Sequence, residues 1–185
     1  MNSLILDLAG RFSAAGLTWA YGGSLTLSRH GIDVRVNDLD LFVEPNDFAA
    51  ATAILETMGQ PVNVMAHPRF QSQKYQKYII KGIEVDVMAG LMIMTAAGAY
   101  VYPFDKASIT KRDVFARGSV NYTSVEDWYV LYLLLDRHED KEKIKAIVEY
   151  LHINGVVHRA LLKRTLAEAP AMIKDTVRQS LGAII

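Results

Sequence analysis

Two adjacent glycines between a predicted strand and a predicted helix constrain the fold of this chain more than any other feature. The apolar segment 17–21 predicts a short strand, Gly22 and Gly23 interrupt it, and Ser24 begins a helix of about two turns. Glycines allow the backbone to approach a ligand closely, because they have no side chain. The first helical N–H groups and the Ser24 hydroxyl can then bind phosphate oxygens. The strand, turn and helix therefore predict a phosphate-binding turn.

A pair of carboxylates follows this turn. Asp38 and Asp40 begin a strand predicted over 38–43, and alternate residues of a strand point to the same side. Asp86 repeats the pattern on a later predicted strand, 83–88. Neighbouring carboxylates repel one another unless protons or cations neutralise them. We therefore expect the three carboxylates to face one cleft and to hold a hard divalent cation there.

Each candidate residue also has an ordinary structural interpretation. Two acids separated by one residue usually form a solvated strand edge, and only the upstream glycine turn favours a functional role here. Arg35, in the loop before Asp38, could reach phosphate, although a loop arginine is more often a solvated charge. Lys74 and Lys77 could neutralise triphosphate charge, although lysines on a hairpin commonly protect a sheet edge. We retain Arg35 and Lys74 as candidate nucleotide contacts.

The rest of the chain alternates strands and helices before it becomes helical. A first helix precedes residue 16, a helix ends near Gly59-Gln60-Pro61, and Lys81-Gly82 predicts a tight hairpin. Further strands are predicted over 73–80, 100–102 and 119–122, and further helices over 124–137, 140–152, 156–168 and 170–182. The fold class is therefore α+β, a mixed α/β sheet flanked by helices, with a catalytic domain over 1–122 and a C-terminal helical region over 123–185 packed on it.

Two segments of the helical region allow a second interpretation. The dense apolar run from Trp128 to Leu135 predicts a buried helix, although part of it could form a base pocket or a dimer face. The charged residues around Arg137 and Asp140 are typical of a solvated helix junction, and the alternative is an acid and an arginine near an acceptor.

Composition excludes several classes of protein. The 185 residues are 51% apolar and 22% charged, which is enough for one folded mixed domain with a helical appendage but too few for two large domains. Lys plus Arg and Asp plus Glu both number 20, so no basic excess indicates general nucleic-acid binding. The absence of cysteine excludes disulfides and thiolate zinc sites and is compatible with the cytoplasm.

Neither a signal peptide nor a membrane span is expected. Asp7 and Arg11 interrupt the first apolar run, and no basic segment precedes it. The uncharged stretch 87–104 has the length of a span, but Gly90, Gly98 and Pro103 favour buried strands with turns.

The residues around the turn and the carboxylates resemble the nucleotidyltransferase superfamily. Its pattern is a hydrophobic residue, Gly, and Gly or Ser, followed after about a dozen residues by Asp, a hydrophobic residue, and Asp or Glu. Here the two parts are Tyr21-Gly22-Gly23-Ser24 and Asp38-Leu39-Asp40-Leu41, and Asp86 matches the third carboxylate. The resemblance is closest to small antibiotic-type and toxin–antitoxin-type members. It covers about residues 17–90 and is looser beyond them.

This resemblance implies a nucleotidyltransferase that moves a nucleoside monophosphate from a nucleoside triphosphate to a hydroxyl and releases pyrophosphate. Asp38 and Asp40 would bind two Mg²⁺ ions, with Mn²⁺ as an alternative, and Asp86 would be a metal ligand or the base for the acceptor. Gly22, Gly23 and Ser24 would contact the triphosphate. A small molecule or a partner protein is favoured over RNA as the acceptor. The apolar helical tail is compatible with a homodimer. The alternatives are a toxin–antitoxin component that binds and modifies a partner protein, and a non-catalytic relative that only binds nucleotide.

Overall fold

An eight-stranded mixed sheet, seven α-helices and two short 3₁₀ turns form the described part of the chain in a computed structural model. The structure describes residues 1–64 and 69–182, so the last three residues of the predicted helical region lie outside it. The helices are α1 (Asn2–Ala14), α2 (Gly23–Arg29), α3 (Phe48–Glu56), α4 (Val125–Leu135), α5 (Lys141–Asn154), α6 (Arg159–Ala167) and α7 (Ala171–Leu181). The strands are β1 (Trp19–Tyr21), β2 (Leu39–Val43), β3 (Gln60–Val62), β4 (Phe70–Ile80), β5 (Ile83–Thr95), β6 (Gly98–Val101), β7 (Lys111–Phe115) and β8 (Gly118–Tyr122).

The sheet combines parallel and antiparallel pairs in the order β3-β4-β5-β2-β1-β8-β7, with β6 paired to the second half of β5. The central strand β2 is antiparallel to β1 and parallel to β5. Strand β8 returns beside β1 in parallel. The predicted mixed sheet is therefore confirmed, and its middle consists of the strands that carry the glycine turn and the carboxylates.

The predicted hairpin connects β4 to β5 through Lys81 and Gly82. Both residues have positive φ, 52° and 77°, as a two-residue turn of type I′ requires. The two strands are longer than predicted, with a register that runs from Ile80 opposite Ile83 to Phe70 opposite Ile93.

The two strands at the sheet edges, β3 and β7, were not predicted from the sequence. Pro61 in β3 was interpreted as part of a helix stop, but proline is tolerated in an edge strand because it need not donate to a neighbour. In β7 the sequence Lys-Arg-Asp-Val-Phe lacks an apolar face, since no side chain of this strand is fully buried. Periodicity therefore gave no signal for either strand.

The two faces of the sheet pack against different helices. Leu39 and Leu41 of β2 belong to a core shared with α1 and α3. Phe42 belongs to a second core, shared with α4 and the helices that follow it. Because alternate residues of a strand point to opposite faces, Asp40 lies on the α4 side with Phe42.

Helix α4 is the buried centre of the helical region. The Ser124 hydroxyl accepts a hydrogen bond from the Asp127 backbone N–H at 2.9 Å and so caps the start of the helix. The run from Trp128 to Leu135 is almost entirely buried, as predicted. Residues 87–104 form parts of β5 and β6, and in the two described ranges no helix has both the length and the apolarity needed to span a membrane.

Candidate active site

Asp40 and Asp86 lie side by side on neighbouring parallel strands. Their Cα atoms are partners in the register between β2 and β5, so both side chains leave the same face of the sheet. Asp38 immediately precedes β2. All three carboxylates and Ser24 line one open cavity of about 760 Å³. The structure thus brings together the residues that the sequence analysis grouped from three separate segments.

The glycine turn is in direct contact with Asp40. Gly23 has φ +57°, and a Cβ atom placed on it would lie 1.9 Å from Asp40 Oδ2. A Cβ atom on Gly22 would lie 2.4 Å from the rings of Phe42 and Trp128. The Gly22 N–H also donates to the Asp40 carbonyl at 2.9 Å. Both glycines are therefore required by close packing, and they place the turn directly against the carboxylate.

Asp40 lies in an environment that is unfavourable for its charged form. Burial, and then the negative charges of Asp38 and Asp86, raise the pKa of Asp40 to about 7. Arg137 and Lys143 partly oppose these effects and lower the same pKa. The three carboxylates are thus within electrostatic reach of one another, as are two cations from the helical region.

Asp86 has partners on the adjacent strand β4. Its Oδ1 accepts a hydrogen bond from the Tyr75 hydroxyl at 2.5 Å, and its Oδ2 lies 3.5 Å from Lys77 Nζ, which also binds Glu84. Burial raises the pKa of Asp86, while the contacts with Tyr75 and Lys77 lower it. Tyr75 was not a candidate from the sequence. Its place beside Asp86 follows from the pairing of β4 with β5, which sets Lys77 opposite Asp86 and puts Tyr75, two residues earlier, on the same face.

The two candidate cations outside the carboxylate cluster have different positions. Arg35 is exposed but lines the cavity, as expected. Lys74 does not line the cavity, and its Nζ donates to the Pro45 carbonyl at 2.9 Å. The reason is strand alternation, because Lys74 shares the face of buried Tyr78, whereas Tyr75 and Lys77 share the face of the cavity. The structure therefore places the Lys74 side chain outside the cavity, away from where it was predicted to contact the nucleotide.

The helical region supplies the opposite wall of the cavity. Trp128, Tyr132 and Leu135 contribute apolar surface from α4. Charged residues beyond α4 complete the wall, and they are Arg137, Glu139, Glu142 and Lys143. The helix junction that the sequence favoured as solvated thus borders the cavity.

The chemistry of the three carboxylates suits Mg²⁺, which prefers oxygen ligands. Their spacing in this structure is not that of an assembled metal site. Within residues 1–64 and 69–182, no three Asp, Glu or His side chains are grouped closely enough to hold an ion together. Asp86 is turned toward Tyr75 and Lys77, so binding of one ion by all three carboxylates would require side-chain rotation.

The fold is similar to that of solved nucleotidyltransferases. A candidate nucleotidyltransferase from Thermotoga maritima aligns with a TM-score of 0.62 at 21% identity, over 82% of this chain and 92% of that one. The antibiotic-resistance factor ANT(2'')-Ia, in complex with adenylyl-2''-tobramycin, aligns with a TM-score of 0.58 at 13% identity, over 91% and 98% of the two chains. An antigenic nucleotidyltransferase-like protein from Paracoccidioides brasiliensis aligns with a TM-score of 0.57 at 14% identity, over 99% of this chain and 92% of that one.

Comparison by sequence alone identifies no relative, since neither a family model nor a curated protein matches the chain. The structural similarity extends over most of each chain and includes the sheet and the helical region. This chain therefore has the nucleotidyltransferase fold and resembles the antibiotic-type enzymes that share it.

Proposed function

We propose that this protein is a metal-dependent nucleotidyltransferase that moves a nucleoside monophosphate from a nucleoside triphosphate to a hydroxyl group. The observation that supports this most directly is the pairing of Asp40 with Asp86 on parallel strands, with Asp40 packed against Gly23. Phosphate groups held at Ser24 would then lie beside the carboxylates that face the same cavity.

In the proposed reaction, the acceptor oxygen forms a bond to the α-phosphorus. The bond between the α-phosphorus and the oxygen that bridges it to the β-phosphorus breaks, and pyrophosphate leaves with the electron pair. The acceptor proton passes to Asp86 or to solvent. The roles of Asp86 as base and as metal ligand are both compatible with its place at the cavity surface.

Asp38 and Asp40 would hold the metal, with Asp86 as the third ligand of one ion. Bound Mg²⁺ or Mn²⁺ would neutralise the charge of the phosphates and of the three carboxylates. Tyr75 and Lys77 orient Asp86, since each binds one of its carboxylate oxygens. Ser24, Gly22 and Gly23 would bind the triphosphate, and Arg35 at the rim would neutralise part of its charge.

We propose a small molecule as the acceptor. The cavity volume lies within the range of about 300–1,000 Å³ that is typical of small-ligand sites. The described residues that line it include more carboxylates than cations, which disfavours RNA. The similarity to a protein solved with adenylyl-2''-tobramycin supports the same class of acceptor.

A pyrophosphate-release assay tests the proposal. The native chain is incubated with Mg²⁺, each of four nucleoside triphosphates and a panel of hydroxyl-bearing small molecules and proteins. We expect release with at least one combination and a loss of at least about 100-fold in Asp40→Ala, because Asp40 is central to the cluster.

Asp175→Ala is the matched control, since Asp175 forms an exposed ion pair with Arg178 on α7 and does not line the cavity. It should retain native activity. Equal pyrophosphate release by the native chain and by Asp40→Ala would refute the enzymatic assignment. Tight binding of a Mg²⁺–triphosphate without release would instead support the non-catalytic alternative.

A further inference from the structure

A fully buried carboxylate, Asp140, lies at the junction between α4 and α5. Its side chain has no exposed surface. Oδ2 accepts a hydrogen bond from Arg137 Nε at 2.6 Å, and Oδ1 accepts one from Lys143 Nζ at 3.2 Å. A buried carboxylate is tolerated when cations and hydrogen bonds satisfy its oxygens. Asp140 therefore fixes the two cations relative to each other and to the start of α5.

Both cations lie on the cavity wall that faces the carboxylate cluster. Arg137 and Lys143 line the cavity and are only partly exposed. Arg137 uses its Nε for Asp140, and among the described residues no hydrogen bond uses its two terminal nitrogens. A guanidinium with terminal N–H groups facing a cavity can bind an anionic oxygen pair, and an ammonium group beside it adds a point charge.

The position of Lys143 places this pair on the glycine-turn side of the cavity. Its Nζ lies 5.0 Å from the centroid of the Tyr132 ring. The Tyr132 ring packs on Trp128, whose own ring lies against Gly22. Packed side chains thus connect the glycine turn to Lys143, and through Asp140 to Arg137. The other inward-facing lysine, Lys77, is bound to Asp86 and Glu84 instead.

We infer that Arg137 and Lys143 bind the β- and γ-phosphates of the triphosphate, and the pyrophosphate that leaves, and that Asp140 is the residue that positions them. This inference rests on the proposed function, and it assigns the pyrophosphate half of the cavity to the helical region. The acceptor then has the side of the cavity where Tyr75 and Lys77 bind Asp86.

Binding of inorganic pyrophosphate with Mg²⁺, measured by isothermal titration, tests the inference without knowledge of the base or the acceptor. Arg137→Gln and Lys143→Gln should each weaken binding roughly tenfold, the usual effect of losing a charge-assisted contact with phosphate. Lys141→Gln is the matched control, because Lys141 begins the same helix, is exposed and does not line the cavity. It should remain within about twofold of the native chain.

Asp140→Asn distinguishes positioning from simple electrostatics. Removal of a negative charge near an anion site should tighten pyrophosphate binding if charge alone matters. We expect binding to weaken at least threefold instead, because Arg137 and Lys143 lose their common anchor. If this variant does not fold by circular dichroism, the charge-conserving Arg137→Lys replaces it. It lacks the Nε that binds Asp140 and should also bind at least threefold more weakly.

The outcomes separate this inference from the proposed function. Native-like affinity for pyrophosphate in Arg137→Gln and Lys143→Gln would overturn the inference. Tighter or unchanged pyrophosphate binding by Asp140→Asn would also overturn it. If Arg137→Lys has replaced Asp140→Asn, the same result in that variant counts equally. If the native chain still released pyrophosphate from a triphosphate, the proposed function would stand although the inference about Arg137 and Lys143 had failed. A native chain that bound neither pyrophosphate nor any of four Mg²⁺–triphosphates would overturn both.

Discussion

At the scale of single residues, Asp40 is held in a place that favours its neutral form. It lies against Gly23 and beside Asp38 and Asp86, and its pKa is raised to about 7, first by burial and then by those two charges. A carboxyl group with a raised pKa binds more protons in the folded chain than in the unfolded chain. Its ionisation therefore destabilises the fold, fully above the folded pKa and not at all below the unfolded value near 4.

Asp40→Asn should accordingly stabilise the protein in the absence of divalent cations. We expect its free energy of unfolding to exceed that of the native chain by about 1–3 kcal/mol at pH 8. The difference should shrink as the pH falls through 7 and vanish near pH 4. Urea denaturation in EDTA across this range measures it, and Asp175→Asn, at an exposed ion pair, should show no comparable gain. Parallel stability curves for the native chain and Asp40→Asn would contradict the account.

Gly23 and Gly31 provide a matched pair of substitutions. Both have positive φ, 57° and 88°, but a Cβ atom on Gly31 has no neighbour within 4 Å, whereas one on Gly23 would collide with Asp40 Oδ2. Gly31→Ala should lower the free energy of unfolding by about 1–2 kcal/mol through backbone strain alone. Gly23→Ala should lower it clearly more and should also abolish pyrophosphate release, because Asp40 must move. Thermal unfolding and the release assay check this, and equal losses in both variants would show that the contact with Asp40 is unimportant.

At the scale of elements, local patterns predicted the interior of the sheet better than its edges. Strand β2 alternates sharply between Asp and apolar residues, and the Lys81-Gly82 turn has a strong hairpin signal, so both were predicted. The edge strands β3 and β7 pair on one side only and bury little, so their sequences have no periodic apolar face. The length of β5 beyond residue 88 was also not predicted; its second half pairs with β4 and with the next strand, β6.

The β4–β5 turn offers a stabilising substitution. Lys81 adopts φ 52°, a left-handed conformation that asparagine tolerates better than lysine does. Lys81→Asn should therefore raise the free energy of unfolding by about 0.5 kcal/mol. Lys81 is exposed, so no packing is lost. Lys81→Val, with a β-branched side chain in the same turn, should lower stability, and urea denaturation compares the two. A less stable asparagine variant would contradict the assignment of the turn.

At the scale of the whole molecule, the sequence predicted one wall of the candidate site and left the other only as an alternative interpretation. Asp38, Asp40 and Asp86 were found because each lies in a local pattern that also determines its strand face. Tyr75 and Lys143 reach the cavity only through long-range packing of β4 and α5, which no local pattern encodes, and Arg137 reaches it from the junction before α5. Lys74 was selected as a lysine near the cleft, but its strand face depends on the register of β4, and that face points away.

The same long-range packing affects how the chain can be divided. The sequence predicted a catalytic domain, 1–122, with a helical region packed on it, and Phe42 and Met88 of the sheet share a core with Trp128 and Leu131 of α4. We expect a fragment of residues 1–122 to expose this surface, bind a hydrophobic dye and unfold without a cooperative transition. Circular dichroism melts and dye fluorescence measure this outcome. A fragment that melted cooperatively would show that the sheet is an independent folding unit.

The absence of room at positions 22 and 23 also limits how such a protein can be redesigned. A side chain at either position would strike Asp40 or the rings of Phe42 and Trp128. In a randomised library selected for a new acceptor, we expect both glycines to persist in every active clone. Altered specificity should arise instead at Phe70, which lines the cavity and has no proposed role in binding phosphate or metal. The part of the molecule that would recognise phosphate would then stay unchanged while the part that would choose the acceptor diverges.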